Sequence, residues 1–198
     1  MEIEYKWETP DAALLEDLFN DEVITACMGE ARELHMCATY YDTENQDVYR
    51  LHGGLRVRRE NDDSICCLKL AASADGACKA RQEFEVAADD ITEGLRRLPE
   101  TGAPRAVCDM LLAGNPQPTC ETDFMRREQM MICPDFADAL AFDTGEMRNQ
   151  GRTAPIHEIE LEYVSGSEEA FHAFARQMQE SFSLEVQPLS KLARAIAL

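Results

Sequence analysis

Rows of charged side chains recur at alternate positions along several segments of this sequence. Two rows are rich in carboxylates: Glu158, Glu160 and Glu162, and Glu2, Glu4 and Lys6. In an extended strand, alternate residues lie on the same face about 7 Å apart. Carboxylates at this spacing repel one another unless a cation lies between them, and their oxygens suit a hard divalent metal. The rows therefore predict a site in which carboxylates are paired with a metal ion or with guanidinium groups.

Other segments carry arginine or lysine in the same alternating pattern. These positions are Arg56 and Arg58 in one segment, Lys69 in an apolar segment, and Arg81, Glu83 and Glu85 in a third. A charged face on a single strand usually points to solvent. Here the charged faces recur from strand to strand, opposite large apolar side chains. A closed barrel explains them together, with the charges lining its interior and helices packed outside.

The balance of charge limits the classes of partner. The chain of 198 residues has 38 Asp and Glu against 19 Lys and Arg, a formal net charge of −19. Nucleic-acid binding requires a basic surface, so we expect no nucleic-acid partner. No run approaches the ~20 apolar residues of a membrane span, so we expect no membrane partner. A small phosphate ligand remains compatible with this charge, because clustered arginines or metal ions can reverse the local field.

The cysteines indicate a reducing compartment. Eight cysteines are scattered along the chain and none forms a Cys-x-x-Cys pair. We interpret them as packed, reduced thiols of a cytoplasmic protein, and the charged N-terminal residues are unlike a signal peptide. Cys66 and Cys67 are adjacent, so their side chains should point to opposite faces rather than form a redox pair. No zinc-ligand spacing surrounds His35, His52 or His172.

Alternation of apolar and polar residues predicts eight mostly antiparallel strands. They lie at 2–8, 34–43, 55–59, 65–70, 79–87, 120–133, 137–145 and 155–164. Helices are predicted at 9–20, 89–98, 104–113 and 167–182, the last with an apolar stripe that should pack on the core. No repeat or linker divides the chain. The prediction is a single α+β domain over residues 1–198, an eight-stranded antiparallel β-barrel tunnel with a charged lumen and helices outside.

An ordered set of motifs resembles the CYTH superfamily, the triphosphate tunnel metalloenzymes. The matching segments are Glu2-x-Glu4-x-Lys6, Tyr41-Asp-Thr43, Gly54-Leu-Arg-Val-Arg58, Leu68-Lys69, Arg81-x-Glu83-x-Glu85, Thr122-Asp-Phe-x-Arg126, Asp143-x-Gly145, Glu158-x-Glu160-x-Glu162 and Ser190-Lys191. They follow the family's order over nearly the whole chain and are most similar to the bacterial inorganic triphosphatase branch. The resemblance implies an antiparallel tunnel that binds triphosphate and a divalent metal, Mg²⁺ or Mn²⁺.

The resemblance also implies a role for each matching side chain. The substrate-binding residues would be Lys6, Arg56, Arg58, Lys69, Arg81, Arg126 and Lys191. The metal ligands would be Glu2, Glu4, Asp143, Glu158, Glu160 and Glu162, with Glu83 or Glu85 as further candidates. The catalytic residues would be Lys6, Glu4 and Glu160, with Lys6 stabilising the leaving pyrophosphate. The choice of Arg126 depends on strand register, because Arg127 beside it points to the opposite face. Tyr41–Thr43 are expected to be mainly structural.

The expected activity is metal-dependent hydrolysis of inorganic triphosphate to pyrophosphate and phosphate, with nucleoside or thiamine triphosphate as further substrates. Two alternatives stay open at this point. One is a class IV-like adenylyl cyclase, which uses the same kind of tunnel for a different transfer. The other is a catalytically weak polyphosphate- or nucleotide-binding module, which the intact acids of both carboxylate rows disfavour. No residue pattern specifies nucleobase recognition or an oligomeric state.

Overall fold

The computed structural model describes residues 3–9, 12–71 and 81–198, so Glu2 lies outside the described residues. Within these ranges the chain forms nine strands and seven α-helices. The strands are β1 (Glu4–Glu8), β2 (Met28–Asp42), β3 (Gly54–Glu60), β4 (Asp63–Ala71), β5 (Arg81–Ala87), β6 (Gln117–Ile132), β7 (Phe136–Asn149), β8 (Arg152–Gly166) and β9 (Glu185–Val186). The helices are α1 (Ala12–Phe19), α2 (Glu22–Ala26), α3 (Asp47–Arg50), α4 (Ile91–Arg97), α5 (Arg105–Ala113), α6 (Glu168–Ser181) and α7 (Lys191–Ile196), with a 3₁₀ turn at Leu98–Thr101.

The strands form one antiparallel sheet in the order β5-β4-β3-β2-β6-β7-β8-β1-β9. All eight strands predicted from alternation are present, and β9 is an addition. The predicted closure into a barrel is wrong for the described residues. To close an eight-stranded barrel, β1 would have to pair with β5, but β1 pairs instead with the two-residue strand β9. The sheet therefore keeps two edges, β5 and β9.

Helices cover the outer face of the sheet, as predicted. Near β1 and β8, a core of fully buried side chains packs under α1 and α6: Trp7, Leu18, Ile159, Leu161 and Phe171. A second core lies between β3, β4 and the helices α4 and α5, and includes Leu55, Leu68, Leu95 and Leu111. The strand residues of these cores alternate with the charged positions, so burial of the apolar face fixes which side chains point inward. No helix in the described ranges is long and apolar enough to cross a membrane.

The C-terminal helix α7 occupies the inner face and was not predicted. Its Ala195 and Leu192 pack against Met36, Phe124 and Ile156 in a third apolar cluster. The helix begins at Lys191, and the Ser190 hydroxyl accepts a hydrogen bond from the N–H of Ala193 at 3.1 Å, which caps its first turn. The cap and the apolar contacts together place Lys191 against the inner face of the sheet.

The outer core contains one buried carboxyl group that the packing does not neutralise. Asp138 in β7 has no exposed surface, and neither of its carboxylate oxygens has a hydrogen-bond partner in the described part of the chain. Burial raises the pKa of Asp138 from the ordinary 3.8 to about 7. The unfolded chain therefore ionises at lower pH than the native protein, and native stability falls as pH rises from about 4 to 7.

Replacement of this carboxyl group tests that assignment. In Asp138→Asn the pH-dependent cost is absent, so the free energy of unfolding of the variant relative to wild type should rise by about 2–3 kcal/mol between pH 5 and pH 8. Urea unfolding at both pH values measures the difference. The exposed neighbour Asp135 is the matched control, and Asp135→Asn should change the free energy of unfolding by less than about 0.5 kcal/mol. An offset for Asp138→Asn that does not change with pH would contradict the prediction.

Candidate functional site

A cavity of about 670 Å³ lies on the inner face of the sheet, between residues of β3, β4 and β5 on one side and residues of β1 and β8 on the other. Among the described residues, six of the chain's 19 Lys and Arg line it: Lys6, Arg56, Arg58, Lys69, Arg126 and Lys191. Six glutamates also line it: Glu4, Glu83, Glu85, Glu128, Glu160 and Glu162. A chain with a net charge of −19 thus holds a cavity in which the two signs are balanced. Of the predicted substrate-binding residues, only the Arg81 side chain is outside what the structure describes.

Lys191 lies at the centre of a buried ion cluster. Its Nζ is 2.8 Å from Asp143 Oδ2, 2.5 Å from Glu158 Oε1 and 2.8 Å from Glu160 Oε1. Burial works against its charge, but these three carboxylates outweigh burial and raise the pKa of Lys191 well above its ordinary value. The ammonium group therefore stays charged and compensates the acidic residues of β7 and β8.

Asp143 and Glu158 have no exposed surface, and neither lines the cavity. Arg194 bonds the second oxygen of Glu158, so lysine and arginine occupy both sides of that carboxylate. Burial raises the pKa of Glu158 to about 7. Burial alone would also raise the pKa of Glu160, but Lys191 and Arg126 hold it well below its ordinary value. Glu160, which lines the cavity together with Glu162, therefore stays ionised.

Arg126 joins the cluster and faces the cavity. Its Nε donates to Asp143 Oδ1 at 2.8 Å, its Nη2 donates to Asp143 Oδ2 at 2.7 Å, and it also bonds Glu160. Arg127 points to the outer face, where it bonds Glu16 of α1 at 2.8 Å and lies over a phenyl ring. The register of β6 thus places Arg126, the residue chosen from the sequence, on the inner face.

The cavity end of β1 and β8 carries carboxylates from both strands. Glu4 lies directly opposite Glu162 in the antiparallel register, and both line the cavity. Like charges directly opposite each other destabilise a sheet unless a cation separates them. Lys6 Nζ lies 3.1 Å from Glu4 Oε1 and 3.5 Å from Glu160 Oε1. This donor set of carboxylate oxygens is the kind that Mg²⁺ and Mn²⁺ prefer.

The opposite side of the cavity carries the basic residues of β3 and β4. Lys69 Nζ lies 2.8 Å from Glu83, an Arg56 nitrogen 3.8 Å from Glu83, and an Arg58 nitrogen 3.6 Å from Glu85. The Nε–H groups of both arginines are buried and have no acceptor in the described part of the chain. Such a donor is costly unless a ligand accepts its hydrogen bond. These unpaired donors and the positive charges of Arg56, Arg58 and Lys69 would suit an anionic ligand.

Several cavity-lining residues are not among the site residues predicted from the sequence, including Glu128, Tyr40 and Cys67. Tyr40 lines the cavity and hydrogen-bonds Arg56, and a register irregularity between residues 40 and 41 obscures the face on which it lies. Burial works against the charge of Arg56, but Tyr40, Cys67 and Glu83 outweigh it and raise its pKa. Cys67 also lines the cavity and donates to Glu83 Oε1 at 3.1 Å, whereas its neighbour Cys66 lies in the outer core, as predicted for adjacent residues.

The segment Tyr41–Thr43 is structural, as expected. Both carboxylate oxygens of Asp42 accept backbone hydrogen bonds from α3: Oδ1 from the N–H of Val48 at 2.9 Å and Oδ2 from that of Tyr49 at 3.1 Å. The Thr43 hydroxyl donates to Asp47 at 2.5 Å. These bonds hold the four-residue helix α3 at the end of β2.

Comparison with known proteins identifies the family of this chain. Residues 1–196 match the family model of the CYTH domain. An inorganic triphosphatase of Haemophilus influenzae is 25% identical over 171 residues, which cover 85% of this chain and 47% of that protein. The chain thus spans about half the length of this curated relative.

Solved structures share the fold at low sequence identity. A candidate adenylyl cyclase from Hippeastrum, described as having a dominant triphosphatase activity, superposes with a TM-score of 0.62 at 18% identity and covers 100% of this chain and 96% of that one. A candidate adenylate cyclase of Bacillus halodurans superposes with a TM-score of 0.58 at 16% identity, over 96% and 94% of the two chains. At these identities the likeness establishes the fold.

The buried ion cluster predicts a large difference between two lysines. Lys191→Met leaves Asp143 and Glu158 buried without their cation, so the free energy of unfolding should fall by about 3–5 kcal/mol. Lys69→Met is the matched control, because Lys69 is 30% exposed and pairs with Glu83, and its loss should cost less than about 1 kcal/mol. Urea unfolding of both variants gives the comparison, and equal losses would show that Lys191 does not stabilise the cluster.

Proposed function

The chain belongs to the CYTH domain family, and we propose that it hydrolyses inorganic triphosphate to pyrophosphate and phosphate with a divalent metal, Mg²⁺ or Mn²⁺. The observation that carries the proposal is the division of one cavity into two charged sides. Arg56, Arg58 and Lys69 line one side, and Glu4 and Glu162 lie opposite each other at the other. A triphosphate with a bound metal complements both sides at once.

The basic side supplies the hydrogen bonds that phosphate oxygens accept. Guanidinium groups bind phosphate in pairs of parallel hydrogen bonds, and lysine adds a mobile positive charge. The buried Nε–H groups of Arg56 and Arg58 lack acceptors, so a phosphate oxygen would satisfy donors that are otherwise left unpaired. Lys191 and Arg126, in contrast, are bonded to carboxylates, and we assign them chiefly to holding Glu160 in place.

Hydrolysis joins a water oxygen to the terminal phosphorus, breaks the bond from that phosphorus to the bridging oxygen, and releases pyrophosphate and phosphate. Glu4, Glu160 and Glu162 would hold the metal, which supplies charge neutralisation and a water of lowered pKa. Lys6 lies between Glu4 and Glu160 and can neutralise the charge that develops on the leaving pyrophosphate. Glu160 stays ionised and can orient the attacking water by accepting a hydrogen bond.

Adenylyl cyclase activity is the second candidate, because two proteins with this fold are candidate cyclases. That reaction requires the adenine of ATP to be held in place, and aromatic stacking is the common means. Of the rings that line the cavity in the described ranges, Tyr40 and Phe124 are 5% and 7% exposed, and the His52 imidazole is exposed. The two larger rings offer little surface to a base, which favours triphosphate.

The acidic side gives a direct test of the reaction. Purified protein with Mg²⁺ or Mn²⁺ should release phosphate from inorganic triphosphate, and Glu4→Gln or Glu162→Gln should lower kcat/KM at least ~100-fold, equivalent to about 2.7 kcal/mol. The matched control is Glu33→Gln, at a side chain that is 72% exposed and lies 3.9 Å from Arg127 on the outer face. Wild-type turnover in both acidic-side variants, with unchanged thermal unfolding, would place the metal elsewhere.

Substrate choice separates the two candidates. Because the basic side of the cavity offers donors to phosphate oxygens and the Tyr40 and Phe124 rings are buried, kcat/KM for inorganic triphosphate should exceed that for ATP at least ~10-fold, equivalent to about 1.4 kcal/mol. Competition between the two substrates, with phosphate and cyclic AMP quantified together, measures the ratio. Preference for ATP with cyclic AMP as the product would replace the triphosphatase proposal by the cyclase.

A further inference from the structure

Three different metal-ligating side chains meet on the outer face of the sheet, away from the cavity. His35 and Cys37 lie at alternate positions of β2, and Cys37 is directly opposite Asp123 of β6. Met36, between His35 and Cys37, points to the inner face, as does Phe124, which follows Asp123. His35, Cys37 and Asp123 therefore lie on the face opposite the phosphate-binding side chains.

The donor atoms of this cluster are close enough to share one ion. His35 Nε2 is 2.7 Å from Asp123 Oδ1 and 3.3 Å from Cys37 Sγ, and Cys37 Sγ is 3.6 Å from Asp123 Oδ1. Ligands of a tetrahedral zinc ion at ordinary bond lengths lie about 3.3–3.7 Å apart. Two of the three separations already have this value, and rotation of the half-exposed His35 ring can widen the third.

We propose that His35, Cys37 and Asp123 bind a zinc-class divalent ion on the outer face. Imidazole nitrogen and thiolate sulfur favour Zn²⁺ over Mg²⁺, so the ion would differ in kind from the one proposed for the cavity. The sequence concealed the set, because Asp123 lies 86 residues from Cys37 and only sheet pairing brings them together.

The surroundings hold the three ligands in position and leave the site open. The Asn61 side chain accepts a hydrogen bond from the His35 N–H at 2.9 Å, and the Asn61 N–H donates to the His35 carbonyl at 3.0 Å, so the backbone at His35 is fixed. The His35 and Asp123 side chains are 46% and 36% exposed, which gives an ion access from solvent.

An ion at this site would bring two positive charges to one carboxylate and one thiolate, beside Arg148, Arg59 and Glu146. Arg148 lies 3.7 Å from Asp123 and bonds Glu146, and Arg59 hydrogen-bonds Cys37. Glu146 is directly opposite Asp123 on β7 and is the nearest candidate for a fourth ligand besides water.

Cobalt(II) titration of the full chain, freed of metal by chelation, tests the proposal. Co²⁺ takes zinc sites and reports a bound thiolate by a sulfur-to-cobalt charge-transfer band. We expect one equivalent of Co²⁺ to produce this band, Zn²⁺ to remove it and excess Mg²⁺ to leave it unchanged. Cys37→Ser should abolish the band, and His35→Ala or Asp123→Asn should weaken Co²⁺ binding at least ~10-fold.

Matched variants distinguish this site from other thiols and histidines. Cys67→Ser removes the thiol beside Glu83 in the cavity, and His157→Ala removes a histidine of β8 that is not part of the cluster. Both should keep the charge-transfer band and the Co²⁺ affinity. A band that survives in Cys37→Ser, a band lost in Cys67→Ser, or no band in wild type at millimolar Co²⁺ would each overturn the proposal. Thermal unfolding of Cys37→Ser near the wild-type temperature excludes misfolding as the cause of a lost band.

Discussion

The ion cluster around Lys191 is the interaction on which the inner face of this sheet depends. Asp143, Glu158 and Glu160 bring three carboxylates together on two adjacent strands, and two of them have no exposed surface. Burial of these charges without a cation would cost several kcal/mol for each. The compensating ammonium comes from α7, 33 residues beyond Glu158 in the sequence. The strands can therefore bury their acidic row only when the C-terminal helix docks on the inner face.

The charged residues of the inner face form two groups, a buried ion cluster and the residues that line the cavity. Asp143, Glu158, Arg126 and Lys191 neutralise one another at hydrogen-bond distance, so they form a frame. At the cavity surface, an Arg56 nitrogen lies 3.8 Å from Glu83, whereas Arg58 pairs closely with Glu60 and Lys69 Nζ lies 2.8 Å from Glu83. The proposed binding rests on the cavity-lining residues of β3, β4, β1 and β8 more than on the sequence-predicted ligands Asp143 and Glu158, because neither of these two lines the cavity.

Periodicity predicted the strands and their inward faces because every strand has a buried apolar face whose register cannot slip by one residue without exposing it. Arg127 lies on the outer face, where it bonds Glu16 of helix α1, and this leaves Arg126 on the inner face. The sequence around the two arginines does not indicate that Glu16 is the partner of Arg127. The prediction of a closed barrel was wrong because alternation shows which side chains share a face of a strand. It does not show which strand pairs with the second edge of β1. The helix α7 was missed because it is six residues long and is stabilised by inner-face contacts rather than by an amphipathic repeat.

The fold alone does not choose between hydrolysis and cyclisation, since proteins named for both chemistries share it at 16–18% identity. What differs between the reactions is the group that attacks phosphorus, water in one and a ribose hydroxyl in the other. A cyclase must hold the ribose and the base so that this hydroxyl is aligned. In this chain, the ring of Phe124 has Lys191 Nζ at 5.1 Å and the Arg126 guanidinium carbon at 5.8 Å, and Tyr40 is bonded to Arg56. Both rings thus contact cationic side chains of the site. The basic residues Arg56, Arg58 and Lys69 line the cavity, and their charge suits a phosphate ligand.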